Sequence, residues 1–209
     1  MMKKLLSAIL LAFAVVSADA QFLFRISGNG LENPSYMLGT IHSLSSSLLD
    51  SIPEYLEAEQ QCRQMYVEHK PQTTKLVIGQ VEQGGRQQRA EYPADKNIFD
   101  VIDKESAEIL VEKYKEATAI ERIFEEYEKT CHYWRTGDYE GFASSHIQEV
   151  NQAPRLHRER NEKWLPRMLA AMREKPTMFV FGSAHLIGEH GIIQKLLDAG
   201  YKVEQVTSR

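Results

Sequence analysis

Only two of the 209 residues are cysteine, Cys62 and Cys131. That excludes a fold held by a disulfide framework and leaves room for one bridge at most. Whether the two pair or sit apart as small buried hydrophobes is a matter of geometry that spacing leaves open. Charge of either sign is also scarce in excess: the formal net charge is −4, with the acids scattered rather than in a block. Such a chain has no basic footprint for nucleic acid and no polybasic membrane patch. Gly-X-Y and heptad periods are missing, so collagen and coiled coil drop out. With 43% hydrophobic and 26% charged residues, the chain is too apolar to be disordered. Absent too are H-E-x-x-H, C-x-x-C, a Walker loop and G-x-S-x-G, which removes the main support for zincin, redox and serine-hydrolase readings.

Long apolar runs are likewise lacking, except at the start. Lys3 and Lys4 precede a run from Leu5 to Val16, and Ala18-Asp19-Ala20 offers small residues for a peptidase. This is the form of a cleaved signal peptide. At about a dozen residues the run falls short of the roughly 20 a membrane span needs. The expectation is a signal peptide over 1–20, a secreted or periplasmic mature chain from Gln21 to Arg209 forming one domain, and no stable membrane anchor after cleavage.

Three textures follow. Phe22-Leu23-Phe24-Arg25-Ile26 and Tyr36-Met37-Leu38 are strand-like and separated by turn signals at Gly28-Asn29-Gly30 and Asn33-Pro34. Ser51 and Glu54 have capping-box spacing, with Pro53 in the first turn, so a helix is predicted from near Ile52. Gln64 to Val67 returns as a strand. From about 71 to 171 the chain is polar and rich in helix formers, with helical spacing over 104–129, a break at Gly137-Asp138, and further helices from Tyr139 and Arg158. Trp164, Leu165, Met168, Leu169 and Met172 fall on one face, read as core. The last stretch repeats the first: an apolar strand Thr177–Phe181, a break at Gly182, a short helix ending at Gly200, and an alternating strand Tyr201–Val206. The predicted fold is α/β, a mixed sheet built from two strand-helix-strand units, flanked by helices and carrying a helical insertion.

Both units place the same pattern where strand becomes loop: Gly39-Thr40-Ile41-His42 and Gly182-Ser183-Ala184-His185. Glycine lets the backbone leave the strand by a tight or left-handed turn, and the carboxyl edge of an open α/β sheet is where ligand crevices form. If the two strands pair side by side, both imidazoles face one crevice, and imidazole is the commonest metal ligand and neutral-pH base. Thr40 and Ser183 are expected to bond loop backbone instead of doing chemistry. Glu68 ends its strand at the same edge, either as third metal ligand or general base or as an exposed strand-end acid, with His69 beside it. Glu189 and His190 lie in the following loop. Arg160 and Asn161 fall in a mixed-charge run from Arg155 to Lys163, which reads as a solvated helix face.

The stretch Tyr36–His42, the strand ending Val67-Glu68, Trp134-Arg135-Thr136-Gly137-Asp138, the Arg160-Asn161 pair followed by Trp164, and Phe179–Leu186 with Gly191 and Gly200-Tyr201 together resemble the TraB/GumN family. The resemblance extends to TIKI-type metal-dependent proteases, which share paired G-x-x-H motifs and a glutamate, and more distantly to haem-binding ChaN-like and erythromycin-esterase-like proteins. It implies a mixed sheet with flanking helices and site positions at His42, His185 and Glu68, with Arg160 facing the site.

The functional expectation is an exported metal-dependent hydrolase acting on peptide or protein substrates, not on nucleic acid. His42 and His185 would hold Mn²⁺, Co²⁺ or Zn²⁺, Glu68 would be third ligand or general base, and Arg160 would steady negative charge on the substrate carbonyl oxygen. The alternative is a non-catalytic periplasmic binding protein for a peptide signal or a haem-like ligand.

Overall fold

The computed structural model describes residues 22–41, 46–68, 98–99 and 120–207. The predicted signal peptide over 1–20, His42, His69, the predicted loop at 83–94 and the predicted helical spacing over 104–119 lie outside them. Strands β1 (Phe22–Ser27), β2 (Ser35–Thr40), β3 (Gln64–Val67), β4 (Thr177–Gly182) and β5 (Lys202–Gln205) form one sheet in the order β3-β4-β2-β1-β5. β1 runs antiparallel to both β2 and β5, whereas β4 pairs parallel with β2 and with β3. The sheet is therefore mixed, and the fold is α/β.

Local chemistry accounts for the order. β4 has a partner on each side and a buried run of Met178, Phe179 and Phe181, as a central parallel strand requires. β5 lies beyond β1 and alternates exposed with half-buried residues, with Lys202 and Glu204 facing solvent. Charges of this kind on a terminal strand discourage pairing with another chain. β1 and β2 are joined through Gly28, Asn29 and Gly30, all at positive φ (80°, 45° and 81°), a region that glycine and asparagine enter at least cost.

Helix α1 (Pro53–Gln61) carries the chain from β2 to β3, helices α2 (Ile120–Thr136), α3 (Tyr139–Gln152) and α4 (Arg158–Glu174) precede β4, and α5 (Ile192–Asp198) leads to β5. The Ser51/Glu54 capping box does not form. Ser46–Ser51 already coil as a 3₁₀ turn, Ile52 is the N-cap with no side-chain cap bond, and Pro53 stands at the helix start. The proline's missing N–H removes one of the orphan donors that a cap would otherwise satisfy. Between α2 and α3 the break falls as predicted: Gly137 takes φ 68° and Asp138 accepts the Gly141 N–H at 2.8 Å.

Trp164 of α4 is fully buried against Phe99 and Phe181, with ring centroids 4.6 and 6.0 Å away. Met168 and Met172 continue the same buried face. Each such side chain removed from water contributes about 1.5–3 kcal/mol, and together they fix α4 across the sheet beside the carboxyl ends of β3 and β4. Cys62 and Cys131 are both buried free thiols, and burial pushes the Cys62 thiol up to about 12.

Candidate functional site

β2 and β4 do lie side by side, with Thr40 opposite Gly182, and β3 flanks β4 with Val67 opposite Val180. Three strand ends therefore meet at one edge. The Glu68 N–H donates to Val180 O at 2.9 Å, continuing the ladder one residue past β3. The two G-x-x-H turns are tied to each other: Ser183 Oγ donates to Thr40 O at 2.9 Å and Thr40 Oγ1 donates to Phe181 O at 3.2 Å. Both hydroxyls thus serve backbone, as expected. Trp134 Nε1 donates to Gly39 O at 2.7 Å and anchors α2 to the same edge.

The glycines of the paired motifs are not needed for left-handed turns. Neither Gly39 nor Gly182 has positive φ; Gly182 sits at φ −60°, ψ 135°. What Gly39 supplies is close approach, since a Cβ there would come within 2.5 Å of a Leu186 methyl and 3.2 Å of Ser183. The first motif lacks a side chain at this position so that the second can pack on it.

At the shared edge Glu68, Arg160 and His185 come together. Glu68 Oε1 accepts from Arg160 Nη1 at 2.9 Å, and Oε2 accepts from the Gly182 N–H at 2.8 Å. His185 Nε2 lies 3.3 Å from Arg160 Nη1 and 3.6 Å from Glu68 Oε1. Arg160 and Asn161 are not on a solvated face: they are 5% and 1% exposed. Nor is Glu68 an exposed strand-end acid, its side chain being 3% exposed. Burial by itself pushes the Glu68 carboxyl up. Hydrogen bonding and attraction from His185 in its charged form, attraction from Arg160, and the Gly182 N–H outweigh that and hold it well below the usual carboxylate range.

Asn161 sets the orientation of the imidazole. Its amide Nδ2 donates to His185 O at 3.1 Å and to His190 O at 2.9 Å, so its Oδ1 is the acceptor facing His185 Nδ1 at 2.7 Å. Nδ1 therefore carries hydrogen, and in the neutral ring Nε2 presents its single lone pair towards Arg160 and Glu68. Trp164 forms a floor under both groups, with the His185 ring 4.3 Å and the Arg160 guanidinium carbon 4.6 Å from its own ring. His157 stands edge-on to His185 at 5.2 Å. A cavity of about 200 Å³ borders Asn161 and is lined also by His157, Arg158, Glu189 and His190.

His42, one residue past Ile41, lies outside the described residues, and among the described residues no three acidic, histidine or cysteine side chains converge as a metal cage. Sequence reasoning does not single out Asn161, Trp164 and His157 as site residues. A signal for them exists. Extending the Trp164–Met168–Met172 stripe back by helical steps lands on Arg160, Asn161 and His157, which places polar residues on the buried face of α4.

The sequence model of the TraB/PrgY/gumN family matches residues 22–123 and 97–205. Neither the curated proteins nor the solved structures contain a match to the chain.

Proposed function

Because the chain belongs to the TraB/PrgY/gumN family, we propose that it is an exported metal-dependent hydrolase acting on peptide bonds, with its centre where β2, β3 and β4 end. The observation that carries this reading is the convergence at the carboxyl edge of the sheet of Glu68 and His185, which follow β3 and β4, with Arg160 from α4. The resemblance to TIKI-type proteases supports hydrolysis as the chemistry and the 1–20 leader supports export.

The donors suit a divalent cation in kind and spacing. His185 Nε2 and Glu68 Oε1 are 3.6 Å apart, and two ligands each about 2.0–2.2 Å from one ion span about that distance. Asn161 holds the other ring nitrogen as a donor, the outer contact that metal-binding histidines generally have. One condition applies: the Arg160 guanidinium contacts both donor atoms and has to turn aside. His42 is the third donor in this reading, and Mn²⁺, Co²⁺ and Zn²⁺ suit a set of two imidazoles and a carboxylate.

When bound, such a cation would polarise a substrate carbonyl and acidify water. The chain's own residues do the rest. Glu68, kept ionised in its buried setting, presents an anionic ligand at the strand end, and Arg160 offers N–H donors to negative charge developing on a carbonyl oxygen. Trp164 and the buried face of α4 exclude water behind both groups.

The test is cleavage of a random peptide library by the mature protein, followed by mass spectrometry with and without a chelator. Cleavage that stops with chelator, returns with Mn²⁺, Co²⁺ or Zn²⁺ and is lost in Glu68→Gln supports the hydrolase. A second reading, binding of a peptide or haem-like ligand without turnover, is favoured by how closed the network is, His185 and Glu68 having side chains only 4% and 3% exposed. No cleavage with any of the three metals, together with a Soret shift on haem titration, would select it.

A further inference from the structure

We propose that Arg160 is a built-in competitor for the metal position: it closes the site by occupying the donors of Glu68 and His185, and it becomes available to substrate only when a divalent cation displaces it. This rests on the metal-hydrolase reading and adds to it a fixed order of events.

The argument starts from lone pairs. The Asn161 amide has both its N–H groups committed to backbone carbonyls, so its oxygen accepts from His185 Nδ1. A cation can bind only the neutral imidazole, and that ring, protonated at Nδ1, has one lone pair, at Nε2. Arg160 Nη1 stands 3.3 Å from that atom and is its hydrogen-bond donor in this tautomer. A carboxylate oxygen can accept twice, so Glu68 Oε1 could serve a guanidinium and a cation together; Nε2 cannot. The same Nη1 also donates to Oε1 at 2.9 Å, so one group spans the two atoms a metal would take.

Charge leads to the same result. A divalent ion held by Nε2 and Oε1 would lie within a few ångströms of a full positive charge in a site from which water is excluded, where screening is weak. Occupancy by one cation therefore opposes the other. The Trp164 ring, 4.6 Å from the guanidinium carbon, gives Arg160 a cation–π contact in the closed arrangement. In the absence of metal the buried carboxylate keeps a counter-charge, and the strand end is not left with an uncompensated ion.

The two N–H groups of Arg160 Nη1, engaged by Glu68 and His185, cannot at the same time serve a substrate oxyanion. Metal entry resolves this by taking over the neutralisation of Glu68 and freeing the guanidinium.

The test measures Zn²⁺ affinity of the full mature chain by competition with a chromophoric chelator, for wild type, Arg160→Met and Arg160→Lys. In parallel, the Arg160 side-chain N–H resonance of ¹⁵N-labelled wild type is followed through the Zn²⁺ titration. The proposal expects Arg160→Met to bind Zn²⁺ roughly tenfold tighter or more, Arg160→Lys to fall between, and the Arg160 resonance to move to a new position at saturation. If wild type binds Zn²⁺ and Arg160→Met binds equally or more weakly, the competition is overturned while the metal reading stands. If neither binds, the metal reading falls and takes this proposal with it. Should Arg160→Met not fold, the wild-type spectrum decides, and a resonance that does not move at Zn²⁺ saturation overturns the proposal.

Discussion

Taking the Glu68 carboxylate out of water costs several kcal/mol unless charge and hydrogen bonds compensate it. Arg160 at 2.9 Å and the Gly182 N–H at 2.8 Å do so. Because its folded-state value lies below the unfolded one of about 4.3, the ionised group stabilises the fold at and above that pH. The contribution is lost as the pH falls below it towards the folded value. Glu68→Gln breaks the buried ion pair with Arg160, and should cost about 3–5 kcal/mol at neutral pH by denaturant unfolding. Measured against wild type from pH 7 down to about pH 2, the difference should shrink below about pH 4. A constant gap would show that the ion pair is not what stabilises this edge. Asn161 yields a second expectation at this scale. Asn161→Ala removes the acceptor that fixes His185 Nδ1–H, so ¹⁵N NMR of the imidazole should pass from one tautomer to a mixture, with about 1–3 kcal/mol lost through the two unsatisfied carbonyls.

Among the elements, β4 carries the fold because it joins β2 and β3, and the junction of β2 with the turn after β4 depends on the bare backbone of Gly39. Gly39→Ala would drive a methyl into Leu186 and against Ser183, an overpacking cost of about 1–3 kcal/mol. Adding Leu186→Ala should recover part of that loss in a double-mutant cycle, since the closest contact is a leucine methyl. Simple additivity of the two losses would contradict the packing account. The elements themselves are legible in the sequence, because apolar runs of strand length, Gly-rich turns and the Trp164–Met172 stripe are local signals. Two local readings fail for reasons beyond local chemistry. The capping box at Ser51 gives way to a 3₁₀ turn and a proline start. The charged run at Arg155–Lys163 reads as solvated because nothing nearby in sequence announces Glu68, whose charge is what allows Arg160 to be buried.

On the scale of the whole molecule, residues far apart in the chain meet because β4, formed after the helices α2 to α4, inserts between β2 and β3. The two like units suggest that their strands lie together, but strand order depends on long-range packing, which local patterns do not encode. The insertion brings Glu68 to His185 and lets α4 supply Arg160, Asn161 and Trp164 to one edge. The thiols take no part in this arrangement: buried Cys62, its pKa pushed up to about 12, should react with a maleimide at neutral pH only after unfolding. The central proposal is that the paired G-x-x-H strand ends form a divalent-metal centre, and Zn²⁺ or Mn²⁺ binding by purified chain 21–209 tests it most directly. The account predicts that wild type binds one ion per chain and that the His42→Ala, His185→Ala double variant, still folded by circular dichroism, loses that affinity at least a hundredfold. Equal affinity in the two proteins, or none in either, would contradict it.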